Sequence, residues 1–268
     1  MREGNGAAHE VGRAVAAMLH EYRHNPWMLD EHWPLNEPHV RLMIADVLAR
    51  FPSGDGVRLL DMGCFNGYIS LLFRRLGYRV TGTDVYDSEE RDALFARSGI
   101  EFVRANMNDP RPFECLAGAR FDIAIIAQVI EHILNHPLGL MRGLGEAMRP
   151  GGMLILTTPN PATVMGAART LRGRSSLWGT NDFIDEPKID DGRVISQGDI
   201  HYREYTSAEL RHMLAGAGLR VEESRYLGLG GSRSQPSWKR LVKNNPLTRG
   251  LMSRRLFGSN HYLLASKP

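Results

Sequence analysis

The pattern of apolar and polar positions divides the chain into a helical beginning and a long alternating region. Between residues 10 and 50, apolar residues recur at helical spacing on both sides of a Pro- and Trp-rich break at 25–38, which predicts two helices. Asn36 and Pro38 are typical of a helix start, so the second helix is expected to begin there. From residue 57 onward, short apolar runs bounded by Gly or Asp alternate with helical patterns.

The short apolar runs are typical of strands that are buried on both faces. Seven such strands are predicted, at residues 57–63, 78–84, 100–105, 121–129, 153–159, 219–227 and 261–267. Continuous apolar strands that alternate with helices occur in parallel sheets covered by helices. The pattern therefore predicts an α/β fold with a doubly wound, mostly parallel seven-stranded sheet.

Two segments interrupt this alternation. Residues 160–205 show no clear period, and a loop of this length inside a compact domain is typical of a lid. The lid is expected to cover the side of a ligand site where the substrate binds. Residues 228–260 mix apolar with basic residues and predict a basic amphipathic insertion. The expected organisation is an N-terminal helical cap at 1–52, followed by one domain at 53–268 that carries both insertions.

The charge distribution is less even than the net charge of +3 indicates. Residues 224–268 hold nine basic residues and no acidic one, whereas residues 1–223 hold 24 basic and 30 acidic residues. The basic segment favours a solvated cationic face, with peripheral contact to an anionic membrane as the alternative. No apolar stretch approaches the length of a membrane span or has the pattern of a signal peptide, so a cytoplasmic location is expected.

A glycine-containing turn between the first predicted strand and the next helix is the first candidate ligand site. Gly63 and Gly67 would let a ligand approach the backbone, and the helix N-terminus would offer free N–H groups. A dinucleotide-binding turn would require further glycines where Phe65 and Tyr68 stand. A nicotinamide site is therefore not expected.

Two carboxylates accompany this turn at the ends of neighbouring strands. Asp61 precedes the first glycine and could accept a hydrogen bond from a ligand ammonium, while Asp84 ends the second predicted strand. An acid at that distance from the turn is suited to binding ribose hydroxyls. Turn formation is the alternative role for each residue taken alone.

Six motifs in order carry a resemblance to a known family. DMGCFNG, VTGTD, FVRANMND, FDIAIIAQVIEH, RPGGMLILTTPNP and HYREYTSAELRHMLAGAGLRV resemble the motifs of class I S-adenosylmethionine-dependent methyltransferases. The likeness is nearest to the small-molecule, quinone and glycan O-methyltransferases and covers residues 55–227 and the last strand. It implies a Rossmann-like methyltransferase fold, S-adenosylmethionine as cofactor, and methyl transfer to a hydroxyl, less readily an amine, of a small-molecule, glycan or lipid-linked acceptor.

The resemblance implies that the glycine-containing turn binds the methionine and ribose parts of the cofactor. Asp61, Gly63, Cys64 and Gly67 would cradle the methionine part, and Asp84 would hold the ribose hydroxyls. Many members of the family have a second glycine where Phe65 stands, although the form found here is also common.

The resemblance further implies contacts from the next strand ends. Val85 would lie against the adenine, and Asn106 and Met107 would flank it. Many members have Asp where Asn106 stands, so this chain departs from the family pattern at the contact to the adenine amino group. Gln128 and Val129 would lie beside the methionine part, near the sulfonium.

Methyl transfer to a hydroxyl requires alignment of the reacting groups and benefits from a base such as histidine. His132, which follows the fourth predicted strand, is the first candidate, and His201 is the second; a packing or capping role is the alternative for His132. Asn160 and Tyr202 are candidate contacts on the acceptor side. Their alternatives are turn formation and anchoring of the insertion.

Other sites and functions receive weaker support from the sequence. His132 and His136 lie four residues apart, but Ile133 replaces the Glu of a zinc motif and Pro137 disrupts a helix there, so no metal is expected. Metal-dependent sugar methyltransferases within the resemblance keep that alternative open. A non-catalytic cofactor-binding protein and an RNA methyltransferase that uses the basic segment are the competing functions. Nucleic acid is not expected as a partner, because no separate binding module is visible.

Overall fold

A seven-stranded sheet forms the centre of the computed structural model. The structure describes residues 2–109, 111–116, 118–134, 136–175, 177, 189–190, 193–194, 201–228 and 245–268. The strands are β1 (Arg58–Met62), β2 (Arg79–Asp84), β3 (Glu101–Arg104), β4 (Phe121–Ala127), β5 (Met148–Pro159), β6 (Ile189–Asp190), β7 (Arg193–Val194), β8 (Arg220–Leu227) and β9 (Asn260–Ser266). All except β6 and β7, which pair with each other, belong to the central sheet.

The order of strands in the sheet is β3-β2-β1-β4-β5-β9-β8. Strands β1 to β5 pair in parallel, and β9 runs antiparallel to both of its neighbours. Successive side chains of β4 alternate between two cores, with Ile125 on one face and Ile126 on the other. The predicted mostly parallel α/β sheet is therefore confirmed.

Helices cover both faces of the sheet. They are α1 (Arg2–Glu21), α2 (Trp33–Arg50), α3 (Tyr68–Arg75), α4 (Glu89–Ser98), α5 (Pro137–Ala147), α6 (Val164–Leu171), α7 (Ser207–Gly216) and α8 (Pro246–Met252). Apolar residues of α1 to α4 pack on one face, and those of α5 and α7 pack on the other. The N-terminal helices thus share a hydrophobic core with the sheet.

The second helix begins earlier than the sequence predicts. A π-helical turn at Met28–His32 runs directly into α2 at Trp33, so Pro38 lies inside the helix. The Asn36 amide donates to the carbonyl of His32 at 2.8 Å instead of capping a helix start. The predicted start at residues 36–38 is wrong because Pro34 occupies the first turn, the position that suits proline.

The fifth strand also begins earlier than predicted. It starts at Met148, because a register shift in its pairing with β4 accommodates the Arg-Pro-Gly-Gly stretch within the strand. The predicted capping box of α7 is confirmed, since the Thr206 side chain and Glu209 bond reciprocally to the backbone.

The two predicted insertions lie partly outside the described residues. Within 160–205 the structure contains α6, whose N-cap Thr163 accepts a hydrogen bond from the N–H of Gly166, although the sequence showed no period there. Most of residues 178–200 and all of 229–244 lie outside the described parts, so the lid remains a prediction. Among the helices that are described, none is long and apolar enough to cross a membrane.

Candidate functional site

A cavity of about 680 Å³ opens at the edge of the sheet where the parallel strands end. Open α/β sheets bind ligands at this edge. The loops after β1, β2, β3 and β4 line it on one side, and α2 with the preceding π-helical turn lines it on the other. The cavity lining includes most of the predicted cofactor contacts, namely Asp61, Gly63, Cys64, Asp84, Val85, Asn106, Met107, Gln128 and Val129.

The glycine-containing turn is packed so closely that side chains would not fit. Gly63 and Gly67 have left-handed φ angles of +74° and +86°. A Cβ on Gly63 would lie 2.4 Å from Cγ2 of Val129, and one on Gly67 would lie 2.2 Å from Cε1 of Phe95. Gly67 itself does not line the cavity, so its place in the structure is to hold the turn against α4.

The Asp84 carboxylate is buried and held by two backbone groups. Its Oδ2 accepts from the N–H of Phe65 at 2.7 Å, and its Oδ1 accepts from the N–H of Tyr86 at 3.0 Å. The carboxylate therefore ties the turn after β1 to the end of β2. Each oxygen has a second lone pair, so ligand hydroxyls can still bind there.

The Asp61 carboxylate lies deeper, at the end of β1. Its Oδ2 accepts from the Ser70 hydroxyl at 2.6 Å. Burial raises the pKa of Asp61 to about 6, and the Asp84 charge makes a smaller contribution in the same direction. The hydrogen bond from Ser70 acts in the opposite direction and lowers this pKa. A cationic ligand group would stabilise the ionised form and lower that pKa. Ser70 was not identified from the sequence, where one serine on an apolar helix gave no signal.

The loops after β3 and β4 are joined by a residue that the sequence analysis missed. Asn108 donates from Nδ2 to the carbonyl of His132 at 3.4 Å, and its Oδ1 accepts from the N–H of Leu134 at 2.7 Å. Its N–H also donates to Oδ1 of Asn106 at 2.9 Å. Asn108 therefore positions the backbone on which His132 stands.

Gln128 adopts a backbone conformation that is unusual for a residue with a side chain. Its φ is +59°, and its Nε2 donates to Oγ1 of Thr157 on β5 at 3.2 Å. Strained backbone of this kind clusters at ligand sites, where the surrounding structure maintains it.

The two predicted histidines lie together in space. The rings of His132 and His201 are 5.1 Å apart and nearly perpendicular, and Nδ1 of His201 lies 3.0 Å from Oε1 of Glu204. His132 lines the cavity, whereas His201 stands behind it. The structure thus joins residues that are far apart in sequence.

Glu131, which was not identified as a site residue from the sequence, completes this cluster. Its Oε2 accepts from the Thr158 hydroxyl at 2.9 Å, and burial raises the pKa of its carboxyl to about 7. Glu131, His132 and His201 place one possible metal-ligand atom each within 4.8 Å of one another. These three residues could hold a divalent cation, although none was predicted.

The two predicted acceptor contacts lie outside the cavity lining. Tyr202 donates its N–H to the carbonyl of Glu131 at 2.9 Å. The buried Asn160 amide donates to the carbonyls of Arg255 and Gly258, both at 2.8 Å. Asn160 therefore joins the end of β5 to the segment before β9. Its Oδ1 also accepts from the N–H of Ala162 at 3.1 Å, which supports the alternative role in turn formation.

Comparisons with known proteins agree with this site. The methyltransferase-domain family matches residues 37–224. The ubiquinone biosynthesis O-methyltransferase of Cereibacter sphaeroides is 32% identical over 106 residues, 40% of this chain and 42% of that protein. The enzyme of the same name from a Caulobacter species is 30% identical over 161 residues, 55% of this chain and 61% of that protein. The chain thus aligns with less than two thirds of either relative.

A solved structure has the same fold at low sequence identity. The 1,6-didemethyltoxoflavin-N1-methyltransferase of Burkholderia thailandensis, crystallised with bound 1,6-didemethyltoxoflavin and S-adenosylhomocysteine, superimposes with a TM-score of 0.53 at 18% identity. That alignment covers 97% of this chain and 89% of the other. The family match over most of the chain, the strand order and the glycine-containing turn together place this chain in the class I S-adenosylmethionine-dependent methyltransferase family.

Proposed function

We propose that this chain transfers a methyl group from S-adenosylmethionine to a phenolic hydroxyl of a small acceptor, with His132 as general base. The observation that carries the proposal is that His132 lines the same cavity as the Gly63 turn and Asp84. The names of the two relatives support an acceptor of the quinone-precursor class.

The residues around the glycine-containing turn fit S-adenosylmethionine. Gly63 lines the cavity without a side chain of its own, which suits close approach of a ligand to the backbone. Asp84 would accept from the ribose hydroxyls, and Asp61 would pair with the ammonium group. Val85, Asn106 and Met107 would surround the adenine.

The cofactor supplies a methyl group on a sulfonium, which already carries an activated leaving group. The chain must therefore orient the acceptor, exclude water and remove one proton. His132 would take the proton of the acceptor hydroxyl. Glu204 holds Nδ1 of His201, whose ring packs edge-on against His132 and restricts its orientation.

A divalent cation is the second candidate for activating the hydroxyl. The specific observation is the cluster of Glu131, His132 and His201, in which Oε1 of Glu131 has no partner within the described residues. A cation bound there would polarise the acceptor oxygen, and His132 would act as a ligand instead of a base.

Replacing His132 by alanine tests the base. We expect kcat to fall about 100-fold, because a positioned general base contributes 10²- to 10⁴-fold. Binding of S-adenosylmethionine should change less than about twofold, since His132 is not among the proposed cofactor contacts. Mass spectrometry of methylated catechol, together with calorimetry of cofactor binding, measures both quantities.

The matched control is His212→Ala, on the exposed face of α7. It should leave turnover unchanged. Unchanged turnover in His132→Ala would exclude His132 as the general base. Activity that is lost on dialysis against a chelator and restored by Mg²⁺ would instead assign the cluster to a metal.

We propose, separately, that the basic segment contacts anionic membranes. Helix α8 and the turn after it expose apolar side chains, with Leu247 85% exposed, beside the exposed Arg254 and Arg255. Helix α6 extends this surface, since the N–H of Val164 donates to the carbonyl of Leu256. Exposed apolar groups flanked by arginines are suited to the interface of an anionic bilayer.

Liposome flotation tests this surface. The wild-type chain should bind vesicles that contain 30% phosphatidylserine at low salt. An Arg254→Ala/Arg255→Ala variant should bind about 30-fold less tightly, because each cationic residue contributes about 1 kcal/mol. The control variant Arg211→Ala/Arg220→Ala, with both arginines exposed elsewhere, should bind like the wild type. Absence of wild-type binding at low salt would contradict the proposal.

A further inference from the structure

One face of the N-terminal helical segment forms a wall of the cavity. Its residues recur at helical spacing, so they share one side of the π-helical turn and α2: His32, Asn36, His39, Val40 and Met43. The proposed cofactor contacts and base do not include any of them. The face combines hydrogen-bonding groups near its beginning with apolar groups near its end.

His39 is the most buried polar residue on this wall, with 2% of its surface exposed. Its Nε2 lies 3.3 Å from the carbonyl of Gly228. A carbonyl can only accept, so Nε2 carries the proton and Nδ1 holds a lone pair. Nδ1 is buried and has no hydrogen-bond partner within the described residues.

The His39 ring is uncharged near neutral pH. Burial lowers the pKa of His39 to about 4, against a smaller raising by the Gly228 carbonyl. A neutral imidazole with this tautomer places an unpaired hydrogen-bond acceptor and no charge in the wall of the cavity. Its ligand must therefore bring a donor, such as a hydroxyl.

The strand order places His39 away from the proposed ribose and adenine contacts. Its partner Gly228 follows β8, which forms one edge of the sheet. Asp84 ends β2 and Asn106 follows β3, which lie at the other end of the strand order, where β3 forms the opposite edge. His39 therefore faces the part of the cavity that remains for the methyl acceptor.

The charge of the lining narrows the class of acceptor. Asp61 and Asp84 are the only charged side chains among the described residues that line the cavity, apart from the histidines. Among the described lining residues, a carboxylate or phosphate on the acceptor would meet no arginine or lysine. Val40 and Met43, both buried beside His39, suit an apolar ring.

We infer that His39 is a specificity-determining residue, whose Nδ1 accepts a hydrogen bond from a second, non-reacting hydroxyl of a neutral dihydroxylated aromatic acceptor. The inference rests on the proposed function for the transfer step itself. Because His132 would take the proton of the reacting hydroxyl, the hydroxyl bound by His39 is a different one. Binding of this second hydroxyl by His39 determines which acceptor is preferred and takes no part in the methyl transfer itself.

Two substitutions separate the ring nitrogens of His39. His39→Gln keeps a donor near the position of Nε2 and removes the acceptor at Nδ1, whereas His39→Asn keeps an acceptor near Nδ1 and loses the contact to Gly228. His261→Gln is the matched control, since His261 is buried on β9 but does not line the cavity. Thermal melting of each variant shows that it is folded.

The readout is the preference for a diol over phenol. It is kcat/KM for whichever of catechol and resorcinol is the better acceptor, divided by kcat/KM for phenol. We expect a ratio of about 10 in the wild type, since a hydrogen bond in a buried site contributes roughly this factor. His39→Gln should reduce the ratio to within twofold of unity, through a higher KM for the diol. His39→Asn and His261→Gln should retain most of the preference.

A ratio in His39→Gln equal to that of the wild type would overturn the role of His39, even if methyl transfer occurs. Absence of methyl transfer to all three compounds would instead contradict the proposed function. In that case, calorimetric titration of the S-adenosylhomocysteine complex with the diols and phenol reads the same contact without turnover. Equal affinities for diol and phenol in the wild type would then overturn the inference, and a preference lost only in His39→Gln would support it.

Discussion

Replacing Asp84 by alanine is expected to weaken the binding of S-adenosylmethionine about 100-fold. The proposed bonds from the ribose hydroxyls to an ionised carboxylate contribute about 1.5 kcal/mol or more each, and about 3 kcal/mol corresponds to a factor of about 100 in Kd. The substitution also removes the acceptors for the N–H groups of Phe65 and Tyr86, so the turn after β1 keeps only its backbone hydrogen bonds to Thr83 of β2. Isothermal titration with S-adenosylmethionine and S-adenosylhomocysteine measures the loss.

The matched control is a substitution of Asp87, which lies three residues further along the chain. Its replacement by alanine removes the same charge. Its side chain is exposed and pairs with Arg104 at 3.2 Å. Asp87→Ala should alter cofactor affinity by less than about twofold, since exposed ion pairs contribute little. Equal affinity of Asp84→Ala and the wild type would remove Asp84 from the cofactor site.

Replacing Gly67 by alanine is expected to lower the free energy of unfolding by about 3 kcal/mol. The left-handed backbone at φ +86° disfavours a Cβ, and that Cβ would meet the buried ring of Phe95 at 2.2 Å. For a chain of this length, the melting temperature should fall by roughly 6–12 °C. Cofactor binding should weaken as well, because the displaced turn carries Gly63 and Cys64.

Gly56→Ala isolates the effect of the backbone conformation. Gly56 has a similar φ of +72°, but a Cβ there would meet nothing within 4 Å. We therefore expect a loss of only about 1 kcal/mol, without a change in cofactor affinity. Equal losses at the two positions would show that contact with Phe95 is not the cause, and chemical denaturation measures both.

The cofactor side of the cavity was accessible from the sequence because its residues lie at local boundaries. Asp61 lies at the end of β1, Gly63 lies in the turn that follows, and Asp84 ends β2. The carboxyl ends of parallel strands meet at one edge of a sheet, so identifying the strands was enough to bring these residues together. The helix start at Pro38 was wrong because two proline positions competed locally, and the sequence did not rank them.

The acceptor side depended on contacts between segments that are distant in the chain. His39 acquires its tautomer from Gly228, which is 189 residues away. Asn160 is occupied by carbonyls of Arg255 and Gly258, so a residue that looked available for an acceptor is used in packing. Neither contact is indicated by the residues that neighbour His39 or Asn160 in the sequence.

The sequence by itself determined the alternation of strands and helices, the glycine-containing turn and the carboxylates at the strand ends, since hydrophobic period and backbone preference act over a few residues. Only the tertiary structure decided which side chains face the cavity from the N-terminal helix, and which histidines meet. His132 and His201 come together because the segment before α7 packs its backbone against Glu131, a contact that depends on the folded sheet. Burial, which sets the charge of Glu131 and His39, likewise exists only after the chain has folded.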